Sequence, residues 1–158
     1  MTDLAEQLAI LAAKVARLEA ESAILKTLHR YGHSIDYGLE ADWLDCFTEE
    51  GVFDVRYPAR PSAPKSARFE GRAALAQFVA GYARPPVALY KHLLIEPEIA
   101  LAPDLGRADV RSYFAVLGEA DRAPCLRVFG RYLDQLVAGA DGVWRLSQRI
   151  AEVESVGS

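Results

Sequence analysis

Little in this chain supports a covalent or metal-built framework. Only two of its 158 residues are cysteine. Cys46 and Cys125 lie far apart with no C-x-x-C spacing, so neither a disulfide scaffold nor a cysteine-held metal is indicated. Basic residues are not in excess: 18 Lys and Arg stand against 22 Asp and Glu, a formal charge of -4. With no basic stripe interleaved with aromatics, nucleic acid is not an expected partner. No apolar run approaches the ~18 residues of a membrane span, so no membrane partner is expected. The opening MTDLAEQL carries acid where a secretory leader would carry base. A Gly-rich phosphate loop, a Gly-x-Ser-x-Gly elbow and a Cys/His pair at catalytic spacing are all missing, so nothing points to a nucleotide or a covalent nucleophile. These absences lead to the expectation of a reduced, cytoplasmic protein.

What is present is an ordinary globular composition, 51% hydrophobic and 25% charged. The length suits one domain that buries ~70% of the surface its unfolded chain would expose. From Leu4 the apolar residues step by four and three through Leu8, Leu11, Val15 and Leu18, then a polar Ser22, then Leu25. That is a heptad seam with Lys14, Arg17, Glu19 and Glu21 outside it. It reads either as an amphipathic helix packed on its own domain or as an oligomer contact. Residues 1–21 are therefore set apart as a helical arm, and 22–158 as the domain.

The stretch LKTLHRYGHSIDYGLEADWLDCFTEEGVFDV, residues 25–55, is where chemistry gathers. Residues 24, 28, 31 and 35 form one helical stripe, and Asp36 lies roughly 100° from its middle. Gly38 ends the helix. A carboxylate there is a capping residue or an active-site acid. ADWLDCFTEE (41–50) suits a short second helix, and GVFDVRY a strand. In YPARPSAPKSARFEG, Pro58, Pro61 and Pro64 forbid regular structure, leaving 57–68 as a lid or a plain connection. GRAALAQFVAGYA has helical spacing at Leu75, Phe78, Val79 and Tyr82. Period two then takes over, with strands expected in VALYKHLLIEPEIAL, GRADVRSYFAVLGE, PCLRVFGRYLDQLVAG and GVWRLSQRIAEVES, joined as antiparallel hairpins. Helices first and strands afterwards give an α+β class: a curved antiparallel sheet wrapped around helices, forming a cone with an internal pocket.

His92 sits on the alternation of Tyr90 and Leu94. It is either a core histidine satisfied by one hydrogen bond or a general base whose tautomer a carboxylate fixes. Asp36 is the carboxylate that could do so. Tyr31 shares the buried stripe, as core aromatic or as donor to a substrate oxygen. Arg149 could bind an anion or carbonyl, but strict alternation sets it opposite Trp144 and Leu146 unless a bulge intervenes. Arg131 is expected to pair with an acid. His29, His33 and Asp36 mimic a ligand set by their spacing, but three ligands on one helix are cramped, and no metal site is expected.

The runs RYGHSIDYGLEADWLDCFTEEGVFDV, FEGRAALAQFV, KHLL and GRYLDQL…DGVWRLSQR, in this order, resemble the SnoaL-like branch of the nuclear-transport-factor-two-like superfamily over residues 22–152. The resemblance implies a cystatin-like α+β barrel and cofactor-free enzymes such as scytalone dehydratase, or relatives that isomerise or only bind. It implies an Asp36–His92 proton-transfer pair, with Tyr31 and Arg149 in support. Further acids or histidines found in particular relatives are missing from RSYFAVL and its neighbours. The reading that follows is a dehydratase-type lyase on a small hydrophobic alicyclic, steroid- or polyketide-like substrate, with no cofactor. Tyr37, Trp43, Phe53, Tyr113 and Phe129 are expected to line its pocket, in a homo-oligomer of two or three subunits. The alternatives are an isomerase using the same proton abstraction, and a non-catalytic binding or assembly module.

Overall fold

The computed structural model describes residues 3–57, 63–120 and 122–156. Among the described residues nine elements follow one another: helix α1 (Leu4–Tyr37), helix α2 (Glu40–Leu44), strands β1 (Phe47–Arg56) and β2 (Ala67–Glu70), helix α3 (Gly71–Ala80), then strands β3 (Lys91–Leu101), β4 (Arg107–Ala120), β5 (Ala123–Ala138) and β6 (Trp144–Val156). The strands form one mixed sheet in the order β2-β1-β6-β5-β4-β3, open at β2 and β3. The class is α+β, as expected. The hairpins β3–β4, β4–β5 and β5–β6 are antiparallel, whereas β1 lies parallel to β6. The parallel pair arises because the chain crosses from β1 to β6 through the rest of the fold rather than through a hairpin.

Two expectations need correction here. The second helix stops at Leu44, and the chain is already a strand at Phe47. Within the Pro-rich stretch, Ala67–Glu70 pairs antiparallel with β1, Phe69 opposite Phe53, because the last proline is Pro64 and the backbone donors beyond it are free to join a ladder. The lid expectation for 57–68 falls largely on 58–62, outside the described residues.

The helix α1 is two objects in one. From Ala20 onward Ile24, Leu28, Tyr31 and Ile35 are buried against the sheet. Before it, Leu4, Leu8, Leu11, Val15 and Leu18 are 45–68% exposed, so the arm does not pack on its own domain. Gly38, at φ 68°, closes the helix in the left-handed conformation that glycine adopts without strain.

The core is aromatic. Trp43 lies 4.9 Å from Phe47, Phe53 5.1 Å from Phe78, and Phe114 is stacked 4.3 Å from Tyr132, between ring centroids. Such contacts add ~0.5–1.5 kcal/mol each beyond the area they bury. Polar ties fix α1 to the start of β6 and to the turn before β1: Thr27 Oγ1 donates to the Trp144 carbonyl at 2.6 Å, and Arg30 reaches Asp45 at 3.1 Å.

Candidate active site

Asp36 lies in the last turn of α1, where a carboxylate faces the negative end of the helix dipole. Helix stability therefore gives no reason for it. The reason is β3. The helix and the strand approach closely at Gly32, where a Cβ would come 3.1 Å from the His92 carbonyl oxygen. With glycine there, His92 reaches Asp36 twice: its backbone N–H donates to Oδ2 at 3.0 Å and its ring Nδ1 lies 2.5 Å from Oδ1. Asp36 is 5% exposed and the His92 side chain 10%. An ionised carboxylate only accepts, so the proton of this contact sits on Nδ1. Nε2 is then the acceptor nitrogen, and the Tyr82 hydroxyl donates to it at 3.2 Å. The three residues form one directed chain, Tyr82 to His92 to Asp36.

Tyr82 comes just after α3 and packs on the core beside Phe78 and Tyr90. Burial raises its pKa strongly, and the proximity of Tyr31 raises it further, so its hydroxyl stays a donor. Tyr31 is buried beneath Trp43, Phe47 and Phe53. Burial pushes its phenol up to about 12, against the pull of the Arg149 charge.

Arg149 faces inward. Gln135 of β5 pairs with Gln148 while Leu136 pairs with Leu146, so Ser147 is one extra residue in β6. That bulge flips the alternation and brings Arg149 to the same side as Trp144 and Leu146. Its Nε and Nη2 grip the Asp134 carboxylate at 2.8 and 2.7 Å. Its guanidinium is sandwiched 4.1 Å from the Tyr31 ring and 3.9 Å from the Tyr132 ring. Burial disfavours its charge, but Asp134 outweighs this and holds the group protonated.

The other anticipated pocket residues divide. Trp43 and Phe53 are buried in the aromatic core around Tyr31. Tyr37 is 54% exposed, on the solvent side of the pair, with the Lys91 ammonium 4.5 Å above its ring. Tyr113 and Phe129 are 57% and 42% exposed and lie on the outer face of β4 and β5. The inner positions there are Ser112, Phe114, Tyr132 and Asp134, so the expectation that Tyr113 and Phe129 line the interior does not hold. Arg131, on that outer face, pairs with Glu152. His29 and His33 point to solvent while Asp36 is turned toward His92. Tyr82, Asp134 and Gly32 were missed as site residues. Tyr82 had been visible only as one more apolar position on a helix, and Gly32 only as a glycine inside one.

An open sheet wrapped on helices, with an acid–imidazole pair where the first helix meets an edge strand, defines a cystatin-like α+β architecture. A SnoaL-like domain model matches residues 16–150, and the chain belongs to that family. Among solved structures, an ntf2-like protein with a cystatin-like fold from Novosphingobium aromaticivorans is 21% identical and superposes with a TM-score of 0.77, covering 100% of this chain and 94% of that one. ActVI-ORFA from Streptomyces coelicolor is 25% identical with a TM-score of 0.67, over 85% of this chain and 96% of that one. A candidate scytalone dehydratase from N. aromaticivorans is 20% identical with a TM-score of 0.69, over 90% and 89%. No curated protein matches the chain. Among the described residues no helix is long and apolar enough to cross a membrane.

Proposed function

We propose that the protein is a cofactor-independent lyase of the dehydratase type, acting on a small hydrophobic alicyclic or polyketide-like molecule. The observation that carries this reading is the commitment of both Asp36 oxygens to His92, 2.5 Å from Nδ1 and 3.0 Å from the backbone N–H. That arrangement fixes the ring's tautomer and orientation and leaves Nε2 as the nitrogen able to take a proton. His92 Nε2 removes a proton from the carbon beside a carbonyl. The electron pair forms the new C=C bond as a β-hydroxyl departs, and the imidazolium returns its proton to the leaving hydroxide as water. Asp36 stabilises the imidazolium in between. The Tyr82 hydroxyl, kept protonated by burial, gives up its hydrogen bond to Nε2 as that nitrogen takes the substrate proton, and with the equally protonated Tyr31 is then a neutral donor for the oxygen on which charge develops. Arg149, already bound to Asp134, acts through the Tyr31 ring it stacks on. The Tyr82 ring, 5.8 Å from the His92 ring and backed by Phe78 and Tyr90, suits an apolar ring system better than a sugar or a nucleotide.

The same first step, without loss of hydroxide, would shift a double bond. Solvent-deuterium incorporation into a cyclic β-hydroxyketone probe separates the steps. Exchange at the carbon beside the carbonyl together with release of water supports a lyase, and exchange without water release, accompanied by double-bond migration in a β,γ-unsaturated ketone, an isomerase. Absence of both, with the probe bound, would leave a binding module. His92→Gln is expected to abolish exchange while leaving the melting temperature within a few degrees.

A further inference from the structure

The exposed arm at the start of α1 presents an unpartnered apolar seam with a definite geometry. Leu4, Leu11, Leu18 and Leu25 take the d positions of a heptad, and Leu8, Val15 and Ser22 the a positions. At ~100° per residue the seam points roughly 150° around the helix from the stripe of Ala20, Ile24, Leu28, Tyr31 and Ile35 that packs on the sheet. Through Leu18 the domain leaves the seam uncovered; past Leu25 the same face carries Gly32 and Asp36, which meet β3, so the free stretch ends at Leu25. The sixteen residues from Leu4 to Glu19 extend α1 beyond its packed half, with their apolar side uncovered.

We infer that the seam pairs with the same seam of a second copy as a parallel, in-register two-stranded coiled coil spanning residues 4–25, about 33 Å at ~1.5 Å per residue. Three observations commit the occupant to a second copy in this orientation. Leucine at every d position with a β-branched residue at the central a position is the two-stranded preference. The flanking charges are self-complementary in the parallel register, where each g position meets e′ of the following heptad. Lys14 then meets Glu19 of the other copy and Glu21 meets Lys26, with no like-charge contact. Lys14, Glu19 and Lys26 have no ion-pair partner among the described residues, while Glu21 is shared with Arg17 at 3.0 Å. Finally, the arm carries a surface depression lined by Val15, Leu18, Glu19, Ser22, Ala23 and Lys26, the first four being an a, a d, an e and the next a position. Positions a, d, e and the next a form the socket that receives a d-position knob in a parallel pair. The knob is Leu18 of the second copy.

The inference is independent of the catalytic reading. Light scattering on the full chain is expected to show the mass falling by half in the Leu11→Asp/Leu18→Asp variant, with the circular dichroism of the sheet unchanged. Lys14→Glu is expected to weaken the pair, and Lys14→Glu with Glu19→Lys to restore it. Orientation is read by Leu4→Cys and Leu18→Cys, made singly in a Cys125→Ser background. Both are expected to give disulfide-linked dimers on oxidation. A wild-type monomer, a mass indifferent to the double aspartate, or failure of either cysteine to crosslink with its own copy would overturn the inference.

Discussion

Two buried pairs of opposite charge type occupy the interior, and they are built to opposite ends. Arg149–Asp134 joins the neighbouring central strands β5 and β6 through two parallel hydrogen bonds, and its side chains are 1% and 0% exposed. Asp36–His92 joins a helix end to the edge strand β3, and it leaves Nε2 facing a hydroxyl rather than a charge. The first pair is closed: each charge is neutralised by the other and covered by two tyrosine rings. The second is directional, with a carboxylate at one end, a donor at the other and an imidazole between. Burial alone therefore does not mark a functional charge. What distinguishes the candidate base is a polar atom that the fold aims and holds only by a neutral hydroxyl, a partner that a substrate can displace.

The contrast can be broken from the catalytic side first. Asp36→Asn keeps the volume and most of the packing but releases the tautomer. If the lyase reading holds, turnover of a hydroxyketone probe should fall by ~10²–10⁴-fold, the range of a positioned general base. The matching change in the closed pair should act on folding. Arg149→Met leaves Asp134 buried and uncompensated, and urea denaturation should show a loss of ~3–5 kcal/mol. The double variant Arg149→Met/Asp134→Leu should recover most of that loss, because both charges are then gone. Full recovery of activity in that double variant would exclude any part for Arg149 in the reaction.

Alkaline pH probes the rings around both pairs. Burial raises the phenols of Tyr31, Tyr82 and Tyr132 above their ordinary value of 10, Tyr31 to about 12. The folded state therefore holds protons that the unfolded chain gives up near pH 10. The stability this represents is complete below pH 10 and is lost as pH rises from 10 to about 12 for Tyr31, at ~1.4 kcal/mol per pH unit for each such group. Denaturation at pH 9 and pH 11 should show that fall, and Tyr31→Phe should reduce its slope. The smallest effect is expected from Tyr82→Phe. It removes one hydrogen bond to Nε2, ~1 kcal/mol, and should slow turnover about fivefold while leaving Asp36–His92 in contact.

Much of this was readable in the amino-acid order, and the rest was hidden for physical reasons. Strands β3–β6 announced themselves because their inner and outer residues alternate over long runs. β2 did not, since four residues between a proline-rich segment and a helix become a strand only when β1 supplies the ladder. Arg149 could not be assigned to a face, because one unpaired residue at Ser147 reverses the parity, and a bulge leaves no mark in composition. Tyr113 follows the alternation of β4 outward with Asp109 and Arg111, so its face was legible, whereas Phe129 misled for a related reason. β5 carries apolar residues on both faces and an aspartate on the inner one, so hydrophobicity does not say which side is in. Asp36 and His92 were identifiable as residues out of place, an acid at a helix C-terminus and an imidazole on a half-buried strand. Their contact depends on Gly32, whose missing side chain lets β3 come close, and a glycine within a helix does not declare what it admits.

The central claim concerns a single ring, and nitrogen NMR of His92 tests it most directly. Long-range proton–nitrogen correlation in the intact protein near neutral pH should find the proton on Nδ1 and Nε2 as an acceptor, with that assignment lost in Asp36→Asn. A proton resident on Nε2, or a ring exchanging freely between both forms in the wild type, would contradict the account.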